Sequence, residues 1–493
     1  MTKNATALQA NHATVHNSLL FIDGEWVTSA QGNTFDTYNP YDHSVVAHIQ
    51  ESGQEDIDKA IKASKLANIH LRKTSVEERA GWCELIAEAI EKNAFQIAEA
   101  ITREQGKPLH AEALPEVHAA AKGFRNAAGH VRHLHGENIF SSNPNKRVIT
   151  RRVARGTYLV ITPWNFPLNI PVEYLGPAIA TGNSVIWIPA PSTSYIASLI
   201  VKIIAEVGLP KGTLNLLTGH GEKIGDYAVS HPEIDGIGFT GSTRVGKIIE
   251  KNGAGKPMLM ELGGNGPTIV FEDADLDKAA AGICAGAFLN AGQTCSATEA
   301  VYVHRSVHNS LVSKIKKIAE ETKIGDPTLE ITEMGPLHNE NIIRKMEMHI
   351  EDAVERGAKL EIGGERAFNS QNSNFFLPTV LSNVPANAIV MKEETFGPII
   401  PLSPFDSLEE IIKICQLPQY GLTSSVWTED LRLAMRFSEE SRAGIVNIND
   451  ASTYWELHIP FGGGSSTDSG RGRIGGIHTL IEMTEIKTIT FDL

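Results

Sequence analysis

Cysteine is scarce. The 493-residue chain has four, Cys83, Cys284, Cys295 and Cys415. They are widely spaced and form no Cys-x-x-Cys pair. That excludes a dense disulfide framework, argues against a structural zinc site and fits a reducing compartment. Positive charge is the minority, with 44 Lys and Arg against 58 Asp and Glu and a net charge of −14. A basic footprint for nucleic acid or an anionic membrane is therefore missing. Unbroken hydrophobic runs are also missing. The longest uncharged stretch, residues 174–201, is long enough to span a bilayer. However, Pro177, Gly182, Asn183, Pro189 and Pro191 interrupt it, and it reads as a buried αβ segment. The first twenty residues hold one lysine and no apolar core, which does not make a signal peptide. They read as a polar, poorly ordered start, and a cytoplasmic location follows. No internal repeat or low-complexity segment is present. What remains is 42% hydrophobic and 21% charged residues, an ordinary globular composition that excludes wholesale disorder. The length suggests about three domains or lobes.

From residue 157 short apolar runs alternate with helical stretches. Residues 157–162, 184–188, 213–218 and 236–240 read as strands. Residues 195–207, 222–229 and 243–251 read as helices between them. A second series begins near 264, with strands at 267–271 and 300–304 and helices at 276–289 and 308–322. Upstream, 57–67 and 76–105 look helical, and 141–155 is polar and strand-like. Short buried strands alternating with helices predict βαβ units and a parallel sheet, which binds ligands at the carboxyl ends of its strands.

Four motifs carry chemistry. Asn290-Ala291-Gly292-Gln293-Thr294-Cys295 ends an apolar helix. Gly292 frees the backbone to turn, and a cysteine there is a candidate nucleophile, although a buried structural cysteine is the commoner case. Glu261-Leu262-Gly263-Gly264 follows an apolar strand and places a carboxylate where the backbone leaves room for a small substrate, as a general base requires. Thr162-Pro163-Trp164-Asn165-Phe166-Pro167 fixes a turn between two prolines. It presents the Asn165 amide either to a developing oxyanion or to its own turn. Phe239-Thr240-Gly241-Ser242-Thr243-Arg244-Val245-Gly246 is a strand, a glycine turn and a helix start. Ser242 or Thr243 can cap that helix, and the free N–H groups suit a pyrophosphate. Gly219-His220-Gly221 with Gly225 is a near miss to the dinucleotide fingerprint.

In this order and spacing the motifs resemble the NAD(P)-dependent aldehyde dehydrogenase superfamily. Glu393-Glu394-Thr395-Phe396-Gly397-Pro398, Tyr420-Gly421-Leu422 and Pro460-Phe461-Gly462-Gly463 match as well. The resemblance runs from about Ile22 to Thr490. It implies an α/β fold of three parts: a Rossmann-like dinucleotide-binding domain (1–133 and 153–263), an α/β catalytic domain (264–476) and a β oligomerisation arm (134–152 and 477–493). It implies that Cys295 attacks the aldehyde, that Asn165 and the Cys295 N–H hold the oxyanion, and that Glu261 activates water. Hydrolysis, rather than transfer to coenzyme A, is the expected end. Thr162, Trp164, Gly241, Ser242, Gly246, Leu262, Gly263, Glu394 and Phe396 would line the cofactor. Phe166, Asn169, Ile170, Glu173, Trp455 and Phe461 would line the substrate tunnel, with Leu289 and Thr294 beside them. A homodimer or homotetramer is implied, with a small aldehyde as the only other partner and no metal.

The departures bear on specificity. The Lys and Glu that usually hold the adenosine ribose are replaced by Ile188 and Pro191, so NAD and NADP both remain open, with a slight lean to NAD. The family's Lys nine residues after the Asn is Tyr174. Glu173 stands where semialdehyde-acid members often carry Arg. Facing the tunnel, its charge would repel an anion, which points to a neutral or cationic far end, aromatic given Tyr454 and Trp455. Facing solvent or a nearby cation, it would leave a succinate-semialdehyde-type activity as the alternative. A cofactor-independent cysteine thioesterase or amidase would need a histidine base, and nothing marks His304 or His308 as one. A non-catalytic relative would not be expected to keep Cys295, Glu261 and Asn165 together.

Overall fold

The computed structural model describes residues 14–369, 374–416, 419–464 and 467–492. The first thirteen residues of the stretch read as a poorly ordered start lie outside them. The rest of that stretch is ordered, which corrects the reading. His16–Ser18 adds in parallel to Val45–Gln50, and Leu20–Ile22 joins the first large sheet. The ladder partner for His16 is Ala47, thirty-one residues away and invisible to local pattern.

The first sheet has five parallel strands in the spatial order Met258–Glu261, Gly236–Thr240, Thr157–Ile161, Ser184–Ile188, Leu214–Leu216. Numbered along the chain this is 5-4-1-2-3, the doubly wound arrangement. Antiparallel strands finish both edges, Leu20–Ile22 with Glu25–Val27 on one side and Gly470–Arg471 on the other. The strand sequences are continuous apolar runs because helices cover both faces. Val185, Ile186 and Trp187 are fully buried. The order reverses between Thr157–Ile161 and Gly236–Thr240. A crevice opens beyond the carboxyl ends of these two strands, where the turns at 162–167 and 241–242 emerge.

The second sheet runs Lys359–Ile362, Thr379–Ser382, Ile399–Phe405, Thr298–His304, Gly266–Val270, Thr423–Trp427, Ile445–Ile448. It is parallel except at the Lys359–Ile362 edge and has its own apolar core. A third sheet stands apart. Thr484–Asp492 pairs antiparallel with Lys146–Ala154 from Thr484 against Ala154 to Asp492 against Lys146, and Asn138–Ile139 flanks it.

The stretch 76–105, read as one helical region, is two helices. Val76–Lys92 and Ala94–Gln105 meet at Asn93, whose φ of −105° and ψ of 17° close one helix and open the next. Ser75 accepts from the Glu78 N–H while Glu78 reaches back to the Ser75 N–H, a reciprocal cap on the first of them. Among the described residues no helix is long and apolar enough to cross a membrane.

Candidate active site

Six chain segments far apart in sequence meet at one cavity of about 290 Å³. Pro163, Trp164, Asn165 and Ile170 come from the first turn, and Thr240, Gly241 and Ser242 from the second. Leu262 and Gly263 follow the Met258–Glu261 strand. Cys295 stands on the opposite wall, with Asn341, Ile342, Lys345, Glu394, Thr395 and Phe396. The first large sheet contributes one side and the second sheet the other.

The backbone before Cys295 is strained. The apolar helix Leu276–Phe288 ends, and Asn290 (φ 51°, ψ 36°) and Ala291 (φ 53°, ψ 38°) adopt left-handed conformations, followed by Gly292 at φ 76°. A left-handed non-glycine residue costs about 1–3 kcal/mol and needs surrounding structure to hold it. A Cβ at Gly292 would fall 2.3 Å from the Gly397 backbone, so the Cys295 turn and the Glu394 turn touch here because the residue is glycine. Asn290 is pinned on all sides. Its Nδ2 donates to the Asn165 carbonyl at 2.9 Å and to Gln293 O at 3.2 Å, and its Oδ1 accepts from Gln105 Nε2 at 2.9 Å. Asn165 Nδ2 donates to Gln293 O at 3.0 Å. An amide NH2 has two hydrogens, which leaves one for the cavity that Asn165 lines.

Cys295 is half-buried. Burial pushes its thiol well above the usual range and the Glu261 and Glu394 carboxyls push it further, while the Cys295 and Ser296 N–H groups act the other way. Glu261 is buried, and among the described residues neither carboxylate oxygen accepts a protein hydrogen bond. Burial drives its carboxyl well above the carboxylate range, Arg473 opposes this, and Glu173 adds to it. Arg473 is held in place by donating to the Gly463 and Gly472 carbonyls at 2.8 Å each. A Cβ on Gly264 would lie 2.3 Å from the Cys295 carbonyl, so a glycine there lets the Glu261 loop pack onto the cysteine turn.

Glu394 Oε1 accepts from Gly264 N–H at 3.1 Å, and burial raises its carboxyl to about 7 against the pull of that bond and of Lys345. Phe396 has φ 65°. The buried Glu299 carboxylate accepts the Thr395 and Phe396 N–H groups at 2.8 and 2.6 Å and fixes this turn. Trp164 lies flat on His338, with centroids 4.3 Å apart at 8°, and edge-on to Phe396 at 5.7 Å. Ser242 caps the Thr243–Asn252 helix, accepting from Val245 N–H at 3.4 Å. Thr162 and Gly246 do not line the cavity. Thr162 Oγ1 accepts from Trp187 Nε1 at 2.8 Å, and Gly246 packs against Leu262.

The residues read as substrate-lining separate. Ile170 lines the cavity. The Phe166 ring sits 3.5 Å from Lys107 Nζ. Asn169 gives its N–H to Glu116 at 3.1 Å. Trp455 packs on Phe461 at 5.0 Å. Thr294 Oγ1 reaches the Leu289 carbonyl at 3.4 Å. Glu173 is the correction. It faces neither solvent nor a cation but lies buried against Gly123, Asn126, Ala127, Val172, Pro177, Leu457 and Gly476. Burial raises its carboxyl well above the usual range, opposed by the Gly475 N–H. Glu173 lies in that cluster and not on the cavity wall, so it is not placed to repel an anionic substrate. Tyr174 is also fully buried, its hydroxyl bonded to Thr240 Oγ1 at 2.8 Å. Neither His304 nor His308 lines the cavity. Lys345, Asn341 and Ile342 do, and no sequence signal marked them, since they lie on the Glu340–Glu355 helix with no motif of their own.

The aldehyde dehydrogenase family profile matches residues 26–489. The chain belongs to that family. It is similar to the 3-sulfolactaldehyde dehydrogenase of Priestia megaterium, 36% identical over 479 residues that cover 96% of this chain and 98% of that one. Retinaldehyde dehydrogenase 3 of Mus musculus is 35% identical, with 96% and 93% covered. The crystal structure of succinate-semialdehyde dehydrogenase from Burkholderia pseudomallei superposes with a TM-score of 0.94 at 34% identity, covering 97% and 98%. The enzyme is therefore an NAD(P)-dependent oxidoreductase that oxidises aldehydes, with the mixed α/β architecture described above.

Proposed function

We propose that the enzyme oxidises an aldehyde with a neutral or aromatic far end to the free acid, with Cys295 as nucleophile, Asn165 as oxyanion donor and Glu261 as the base for hydrolysis. What supports this is the convergence of Cys295 and Asn165, from two separate turns, on one cavity, with the buried Glu261 ending the strand that leads into Leu262 and Gly263 of its wall and near enough to Cys295 to raise its thiol. The Cys295 thiol gives its proton to solvent, and the thiolate sulfur adds to the aldehyde carbon. The Asn165 amide and the Cys295 N–H donate to the oxygen as it gains charge. NAD(P)+, when bound, supplies the hydride acceptor. Glu261 takes a proton from water as it attacks the resulting Cys295 thioester. A carboxyl raised by burial is a stronger base once ionised than an ordinary one.

The donor set fits a nicotinamide dinucleotide. N–H groups at the start of the Thr243–Asn252 helix suit its pyrophosphate, the Glu394 carboxylate a ribose, and Trp164 and Phe396 a flat ring. Thr162 and Gly246 stand behind this wall. NAD is the preferred form. Beyond the Leu214–Leu216 strand, His220 and Lys223 are both engaged by the buried Glu51 at 2.7 and 2.6 Å, so neither is spare for a 2′-phosphate. Titrating tryptophan fluorescence with each cofactor should give a Kd for NAD+ lower by about threefold or more. A tighter NADP+ would reverse the assignment.

Phe166, Ile170, Trp455 and Phe461 make up the proposed substrate side, and none is cationic. The relatives named above act on a sulfonate, a carboxylate and a neutral aldehyde, so overall identity does not sort among them. kcat/KM for butanal should exceed that for succinic semialdehyde, and a strong preference for the acid would establish the semialdehyde reading instead. The lobes are assigned as 1–133 with 153–263 for the cofactor, 264–476 for catalysis, and 134–152 with 477–493 as the arm of a homodimer or homotetramer. The Lys146–Ala154 and Thr484–Asp492 ladder supports that arm, with Ile486 and Phe491 exposed along it. A cytoplasmic location completes the proposal.

A further inference from the structure

The strained turn before Cys295 is held by a residue outside all the motifs. Asn290 N–H donates to Glu112 Oε1 at 2.9 Å. Glu112 lies in a single π-helical turn, Leu109–Ala113, ahead of the helix Leu114–Val131. The Ala113 N–H reaches back five residues to the Pro108 carbonyl at 2.9 Å. Such turns insert one residue into a helix, re-aim a side chain, and are frequent at functional sites. The Glu112 carboxylate keeps company with a buried ion pair. Lys107 Nζ donates to Glu116 Oε2 at 2.5 Å, and both side chains are almost completely buried. The other Glu116 oxygen accepts the Leu168 and Asn169 N–H groups at 3.0 and 3.1 Å, at the start of the helix Asn169–Thr181. Lys107 also lies over the Phe166 ring. One buried cluster thus grips the Cys295 turn through Glu112 and the Asn165 turn through Glu116. An ion pair buried this deeply is a costly way to stabilise a fold, whereas it is an effective way to set the distance between two loops.

The geometry points to Glu112 as a positioning residue. Its bond to Asn290 N–H holds the left-handed turn so that Cys295 faces the Asn165 amide, while the Lys107–Glu116 pair fixes the other side. This rests on Cys295 being the nucleophile. The test therefore includes a reading that needs neither cofactor nor aldehyde: iodoacetamide alkylation of Cys295 in the full-length protein as a function of pH. Glu112→Ala should lower kcat by about tenfold or more, since small misplacements of reacting groups are expensive. The KM for cofactor should stay within about threefold, and the alkylation profile should be displaced. Glu112→Gln keeps an oxygen that accepts the Asn290 N–H and should restore both. If Glu112→Ala does not fold, Glu112→Asp takes its place, keeping the charge and drawing the acceptor back. Unchanged kcat and alkylation in whichever of these two variants folds would overturn the proposal. So would a Glu112→Gln protein as impaired as Glu112→Ala. If the alkylation profile moves but Cys295 proves dispensable for turnover, the functional reading fails and the positioning role stands.

Discussion

Cys295→Ala should produce no reduced cofactor above background, a fall in kcat of about 10⁴-fold or more. The residue is half-buried at a cavity wall, and alanine removes only its sulfur, so circular dichroism and Tm should stay at the wild-type values. The loss is chemical: without sulfur no covalent adduct forms, and hydride would have to leave an aldehyde hydrate that the site is not built to hold. Fluorescence titration should show cofactor binding unchanged. Turnover above about a tenth of wild type would remove Cys295 from its assigned role and reopen the search along the cavity wall.

Glu261→Gln should separate the two half-reactions. Adduct formation and hydride removal do not require Glu261, whereas attack of water on the thioester does. A rapid burst of reduced cofactor, close to one per active site, should precede a steady state slowed by about 10²–10³-fold. Stopped-flow absorbance reads both phases, and denaturation after the burst should trap an acyl group on Cys295. Loss of the burst together with the steady state would place Glu261 in the first step instead. The substitution also has a signed effect on the thiol. Glu261 and Cys295 each become anionic on losing a proton, and the carboxylate raises the thiol. Making residue 261 neutral at every pH removes that opposition, so the pH profile of Cys295 alkylation should move to lower pH. An unmoved profile would mean that the two groups do not sense each other.

These expectations divide by how far apart in the chain their causes lie. The four motifs are short, and each is a strand or helix end whose geometry follows from its own residues. Two prolines flank the Asn165 turn, Ser242 caps the helix it begins, and Gly292 accepts φ 76° where a side chain could not fit. The strand runs were legible for a related reason. Strands buried on both faces must be apolar throughout, and SVIWI at 184–188 cannot be placed anywhere else. The helical stretch 76–105 shows the limit of such reading, because one Asn with a bridging φ/ψ splits it without disturbing the apolar periodicity.

Glu173 shows a different limit. The sequence supplies a carboxyl group but not its charge, which depends on what surrounds it. Packing among Gly123, Val172, Pro177 and Leu457 takes an expected substrate-facing anion off the cavity wall and raises its carboxyl. Lys345, Glu299 and Glu112 lie outside every motif. Each reaches the site across a long chain separation, from a helix face, a strand and a π-turn respectively. Sequence alone determined the alternation of strands and helices, the candidate nucleophile, base and oxyanion donor, and the family. Only the tertiary structure decided which of the lining residues reach the cavity, which carboxyls are raised by burial and what holds the strained cysteine turn. Burial and long-range contacts set those properties, and neither is a property of a residue's neighbours in the chain.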